Sequence, residues 1–181
     1  MKVNLNLNNN LTKTLFLDRD GVINVKIEKN YVKKWQEFRF IDGSLGALEK
    51  LTAFFDLIII ITNQQGVGKG VMSVNDLNVI HENMLKDIHK NGGKIDKIYF
   101  SSDLSNLSGN TRKPNITMGL KAKIDFPEIE FLNSIMVGDS DSDIEFGKRL
   151  NMKCIKITSD LGEKGIQDYN FTSLNDFSKK I

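Results

Sequence analysis

Cysteine is nearly absent from this chain: Cys154 is the only one in 181 residues. A lone cysteine excludes an internal disulfide and any zinc site built from several thiolates. Its setting, Met152-Lys153-Cys154-Ile155, fits a small buried hydrophobe in a reducing cytoplasm. Histidine is almost as scarce. His81 and His89 have no second His or Cys at ligand spacing, so both are expected as solvent-facing residues of a helix. Only two prolines occur, unlike a disordered or fibrous chain. Neither sign of charge dominates either: 25 Lys and Arg against 23 Asp and Glu leave a net +2, which points to neither nucleic acid nor membrane as a partner. The apolar run at 58–61 is far too short to cross a bilayer, and the opening MKVNLNLNNN lacks the apolar core of a signal peptide. A cytoplasmic protein, monomeric or weakly dimeric, is the expectation.

What is present reads as one folded domain over residues 1–181, with 40% hydrophobic and 27% charged residues. Short apolar runs at Thr14–Leu17, Leu57–Ile61, Ile98–Phe100, Ile135–Val137 and Cys154–Ile157 suit strands buried on both faces. Helical patterns separate them. Leu45, Leu48 and Leu51 share one stripe; Leu77, Ile80, Met84 and Ile88 share another, on a helix that Ser73 caps with Asp76 in its first turn. Further helices are expected after Pro114, after Ser142 and over Leu174–Lys180. Alternating strands and helices predict an α/β fold: a doubly wound parallel sheet with helices on both faces. Residues 1–12 form either an edge strand, through Val3, Leu5 and Leu7, or a frayed Asn-rich leader.

Ligands of such sheets bind beyond the carboxyl ends of the strands. Asp18 and Asp20 follow the first strand; Thr62, Asn63 and Gln64 follow the second; Gly138, Asp139, Asp141 and Asp143 follow the fourth; Arg112-Lys113 precede Pro114. Acids, a hydroxyl and cations together suit the handling of phosphate with a divalent metal. Asp141 reads instead as an acid favouring a helix N-terminus. Two rival motifs fail on spacing. DSDSD at 139–143 has Ile144 and Leu150 where an EF-hand needs Gly and Glu, and GVGKG at 66–70 has Asn63 and Gly70 where a P-loop needs Gly and Ser or Thr. The latter segment is expected to be a flexible turn.

The ordered segments DRDGVIN, TNQQGVGKG, RKP and VGDSDSD resemble the haloacid dehalogenase-like phosphohydrolases, within them the capless group of histidinol phosphatase and heptose bisphosphate phosphatase. FLDRDGVIN, with NYV at 30–32 and FIDG at 40–43, is most similar to the heptose bisphosphate type. The resemblance implies that Asp18 attacks phosphorus and that Asp20 protonates the leaving oxygen, then activates water. It also implies Mg²⁺ on the Asp18 carboxylate, the Asp20 carbonyl and Asp139, with Asp143 supporting. Lys113 and Thr62 would act on the phosphoryl oxygens, Asn63 would bind them, and Arg112 would contact the rest of the substrate.

The intervals between the motifs leave no room for an inserted cap domain, so selectivity is expected from short loops such as 24–38, with Tyr31 and Trp35 facing substrate or packing beneath a flap. Two departures from the pattern concern the substrate. Many relatives carry a zinc loop where this chain reads SSDLSNLSGNT at 101–111, and heptose-type relatives often carry Lys where Ser140 stands. The leading expectation is hydrolysis of a small phosphorylated sugar such as D-glycero-D-manno-heptose 1,7-bisphosphate. Alternatives are histidinol phosphate, or polynucleotide 3′-phosphate served by a basic stripe of Lys26, Lys29, Lys33 and Lys34; the non-enzymatic alternative is a phosphate-binding module.

Overall fold

The computed structural model describes residues 3–181. Six parallel strands, β1 (Thr14–Leu17), β2 (Leu57–Asn63), β3 (Lys97–Ser101), β4 (Ser134–Gly138), β5 (Lys153–Ile157) and β6 (Tyr169–Phe171), form one sheet in the order β3-β2-β1-β4-β5-β6. Register is set centrally: Leu15 pairs with Ile58 on one side and Ile135 on the other. Side chains that alternate along each strand feed two cores. Leu15, Leu17, Ile58, Ile60 and Val137 pack on one face, under α1 (Ser44–Phe54), α3 (Val74–Lys90) and α6 (Leu174–Ser178). Phe16, Ile59, Ile61 and Met136 pack on the other, against α4 (Thr117–Asp125) and α5 (Asp141–Arg149). The doubly wound expectation holds. Between β1 and α1 runs a loop with a single 3-10 turn at Trp35–Glu37, and no cap is inserted there.

Local signals account for most of the elements. Ser73 and Asp76 form a reciprocal capping box at the start of α3, and Leu77, Ile80, Met84 and Ile88 are all fully buried beneath it. His81 corrects the expectation of a solvent-facing residue: it is 6% exposed, because four positions after Leu77 places it on the same inward stripe. His89 is exposed as expected. Cys154 is buried, and burial pushes its thiol up to about 12.

Three segments differ from the sequence reading. Residues 65–68 form one helical turn, α2 (Gln65–Gly68), where a turn was expected. Strand β6 has no apolar run to announce it and pairs only with β5, at the sheet edge. Residues 3–7 form no strand, yet they are not frayed: Leu5 is buried, Val3 N–H donates to the Lys180 carbonyl at 2.8 Å, and Lys153 Nζ reaches the Leu5 carbonyl at 2.7 Å. Among the described residues no helix is long and apolar enough to cross a membrane.

Candidate active site

In the order β3-β2-β1-β4-β5-β6 the winding reverses between β1 and β4, and the crevice opens at that switch point. The sequence places Asp18 directly after β1 and Asp139 directly after β4, so the two acids meet there. Gly21 makes the turn possible. Its φ is +93°, and a β-carbon at this position would stand 2.3 Å from Asp139 Oδ2.

Lys113 occupies the floor. Its Nζ is buried and lies 2.6 Å from Asp18 Oδ1, 2.6 Å from Asp143 Oδ1 and 2.5 Å from the Ile61 carbonyl at the end of β2. Burial disfavours the ammonium, but the Asp143 and Asp18 carboxylates outweigh it and raise the Lys113 pKa. Asp143 is fixed independently: Oδ2 accepts from the Ser140 N–H at 3.0 Å and from the Ser140 hydroxyl at 2.6 Å, which is the capping box of α5. For Asp18, burial pushes the pKa up to about 7 against the pull of Lys113, with Asp143 and Asp20 adding to the rise. Burial also raises Asp139, although Lys26 Nζ approaches its Oδ2 at 2.6 Å.

One oxygen from each of Asp18, Asp139 and Asp143 lies within 4.8 Å of the others. A buried ammonium neutralises only part of this negative charge; burial, with neighbouring carboxylates adding to it, raises the proton affinity of Asp18 and Asp139. Hard oxygen donors, clustered and short of positive charge, fit a divalent cation.

Asp20 is held differently. Arg19 Nη2 donates to both of its oxygens at 2.9 and 2.7 Å, Asn24 Nδ2 to Oδ1 at 2.9 Å, and Gln64 Nε2 to Oδ2 at 2.8 Å. Burial works against the carboxylate, yet these donors, Arg19 foremost, lower its pKa. Gln64 also donates to Thr62 Oγ1 at 2.9 Å, tying the tip of β2 to that of β1.

The sequence-predicted residues converge on one cleft of about 270 Å³, which Asp18, Asp20, Thr62, Asn63, Arg112, Lys113, Asp139 and Asp143 all line. Asn63 has a structural task within it: its Oδ1 accepts from the Lys113 N–H at 2.9 Å and its Nδ2 donates to the Lys113 carbonyl at 3.2 Å, bracing the lysine segment from both sides. A larger cavity of about 570 Å³ adjoins on the Asp20 side, lined by Lys26, Tyr31, Gln64 and Lys69 among others. Tyr31 faces this cavity with Lys69 Nζ 5.4 Å from its ring centre, whereas Trp35 stacks on Phe38 at 5.0 Å as packing.

Sequence reasoning missed the supporting groups Arg19, Asn24, Lys26 and His81. Asn24 carried a usable signal, being four residues after Asp20 in a tight turn; Lys26 and His81 arrive from elsewhere in the fold and carried none. Hydrogen bonds close the 101–111 segment: Asp103 Oδ2 accepts from the Thr111 N–H and hydroxyl, both at 2.7 Å, and Ser101 and Thr111 hydroxyls pair at 2.8 Å.

Known proteins share this sequence and fold. The family model described as Polynucleotide kinase 3 phosphatase matches residues 13–178. A D-glycero-alpha-D-manno-heptose-1,7-bisphosphate 7-phosphatase of Mycobacterium tuberculosis is 36% identical, over 92% of this chain and 90% of its own. A D-glycero-beta-D-manno-heptose-1,7-bisphosphate 7-phosphatase of Pasteurella multocida is 33% identical, over 94% of this chain and 97% of its own. The crystal structure of D,D-heptose 1.7-bisphosphate phosphatase from B. bronchiseptica, complexed with magnesium and phosphate, superposes with a TM-score of 0.85 at 25% identity, covering 93% of this chain and 97% of that one. On the motifs, the fold and these relatives together, the chain belongs to the haloacid dehalogenase-like phosphatases, in the family of the D-glycero-D-manno-heptose 1,7-bisphosphate phosphatases.

Proposed function

We propose that the protein is a Mg²⁺-dependent phosphomonoesterase that removes the 7-phosphate of a D-glycero-D-manno-heptose 1,7-bisphosphate through an aspartyl-phosphate on Asp18. The observation that carries this reading is the Asp18 carboxylate at the cleft floor, with Oδ1 held 2.6 Å from Lys113 and no hydrogen bond to Oδ2 among the described residues. An Asp18 oxygen attacks phosphorus as the bond to the sugar oxygen breaks, and Asp20 gives that oxygen its proton. Water then attacks the phosphorus of the acyl phosphate while Asp20 takes up a proton, releasing phosphate and regenerating Asp18. The donors around Asp20 lower its pKa, and a phosphate docked beside it would add negative charge and raise its proton affinity, which suits the first step. Lys113 and the Thr62 hydroxyl face the phosphoryl oxygens, and Arg112 stands at the rim for the remainder of the substrate. Asp18, Asp139 and the Asp20 carbonyl, with Asp143 in support, would hold Mg²⁺, which would supply the positive charge that offsets repulsion between the phosphate and the attacking carboxylate.

The single-domain reading of residues 1–181 is supported by one sheet serving both apolar cores. A cytoplasmic setting is supported by the lone buried thiol, and a monomer or weak dimer remains the working state. Of the basic stripe on which the polynucleotide alternative rests, Lys26 pairs with Asp139 at 2.6 Å and Lys34 approaches Glu37 at 3.9 Å, while Lys29 and Lys33 have no acidic partner among the described residues. The test is kcat/KM on both anomers of heptose 1,7-bisphosphate, histidinol phosphate and a 3′-phosphorylated oligonucleotide. The highest value is expected on a heptose bisphosphate. A higher value on histidinol phosphate or the oligonucleotide overturns the substrate, and binding without turnover of any of them overturns the enzyme.

A further inference from the structure

Arg19 heads the fully buried side chains by size, at 1% exposure, and the two chemical steps above leave it without a task. Its guanidinium lies between a carboxylate and an imidazole: Nη2 contacts both Asp20 oxygens, and Nη1 lies 3.2 Å from His81 Nε2. Arginine has donors only, so His81 Nε2 accepts, which places the imidazole proton on Nδ1 and leaves the ring neutral. His81 sits mid-helix on α3 between Ile80 and Met84, with its ring 6.2 Å from that of Phe100 in β3. Asp20, by contrast, sits in the turn after β1, outside the sheet and paired only through an isolated bridge to Asn24. A catalytic side chain on a turn holds its angle only if a rigid element supports it. The supporting line runs from α3 through His81 and Arg19 to Asp20. Arg19 Nε has no hydrogen-bond partner among the described residues, although it is buried, so the guanidinium is oriented by its two occupied ends at the cost of its third.

We propose that His81 and Arg19 are positioning residues that hold the Asp20 carboxyl in line with the leaving oxygen, a role resting on the reading of Asp20 as proton donor. In that step the P–O bond to the leaving group breaks, its electron pair stays on the leaving oxygen, and the Asp20 proton bonds to that oxygen. An alkoxide is a poor leaving group and needs the proton as the bond breaks. A p-nitrophenolate leaves without it. In kcat/KM, which reports only the steps up to loss of the leaving group and so not the later hydrolysis, misplacing Asp20 therefore penalises alkyl phosphates and spares aryl ones, whereas damage to binding, metal or nucleophile penalises both.

The experiment measures kcat/KM of the Mg²⁺-loaded protein on heptose bisphosphate and on p-nitrophenyl phosphate for wild type, His81→Leu, His81→Gln and Asp20→Asn. His81→Leu is expected to lose about tenfold on the sugar phosphate and less than about twofold on the aryl phosphate. His81→Gln, which keeps an acceptor, is expected to restore most of the loss. A sugar-to-aryl ratio that His81→Leu leaves unchanged, while Asp20→Asn shifts it, overturns the positioning role alone. An unchanged ratio in Asp20→Asn removes the proton-donor reading, and the positioning role with it. Should His81→Leu fail to fold, Arg19→Lys reads the same ratio, with a fall again supporting the role and constancy overturning it.

Discussion

Exchanging the Asp18 carboxylate for a carboxamide keeps its shape and removes the nucleophile. Asp18→Asn is expected to lower kcat by about 10⁴-fold or more on p-nitrophenyl phosphate while far-UV circular dichroism stays unchanged. Its effect on stability has the opposite sign. The folded-state pKa of Asp18 is raised from 3.8 to about 7, so the stability tied to this group is present below 3.8 and lost as pH rises through about 7. In urea melts with EDTA, the wild type should lose stability between pH 5.5 and pH 8 relative to Asp18→Asn; parallel curves would contradict the buried charge. His81 runs the other way. Burial, with Arg19 beside it, holds it down to about 3 from 6.5, so its contribution is present above 6.5 and falls by about 1.4 kcal/mol per pH unit below that. His81→Gln should flatten the wild-type decline between pH 6.5 and pH 5.

At the scale of elements, the turn from β4 into α5 sets the distance between Asp143 and the sheet. A β-carbon on Gly138 would stand 2.1 Å from the Asp143 β-carbon, so Gly138→Ala must move the first turn of α5. We expect a loss of about 1–3 kcal/mol in denaturant melts. The Mg²⁺ requirement should rise with it, because Asp143 carries both Lys113 and the edge of the acid cluster. The 101–111 loop makes a second case. In it Asp103 clasps Thr111 through two hydrogen bonds, and these bonds lower the Asp103 pKa. Asp103→Ala should raise KM more than it lowers kcat, since Arg112 follows the clasp directly and faces the cleft. An unchanged KM would separate the loop from substrate binding.

Over the whole molecule, a cation held by Asp18, Asp139 and Asp143 would relieve the repulsion among the three acids at the switch point. Chelation with EDTA should abolish activity and Mg²⁺ restore it; full turnover after exhaustive chelation would contradict the metal role. Binding stabilises the folded state by about 2.7 kcal/mol at a hundredfold excess over Kd. Protons compete for Asp18 and Asp139, whose pKa values are both raised, so the rise in Tm on adding Mg²⁺ should be larger at pH 8 than at pH 5.5. A rise independent of pH would place the ion elsewhere.

The sequence by itself determined the strands, because five apolar runs buried on both faces admit little else. It also determined the acids, cations and hydroxyl at the strand ends, because chemistry-bearing residues there follow directly on the runs that position them. Asp18, Asp20 and Asp139 were legible for that reason, and Lys113 from the Arg-Lys-Pro segment before a helix. Only the tertiary structure decided how those groups are held. His81 is 62 residues from Arg19 and Lys26 is 113 from Asp139, and no local pattern encodes a contact across such separations. Strand β6 and the tethered residues 3–7 belong to the same class, since a short edge segment acquires its structure from the neighbour it pairs with and not from its own periodicity.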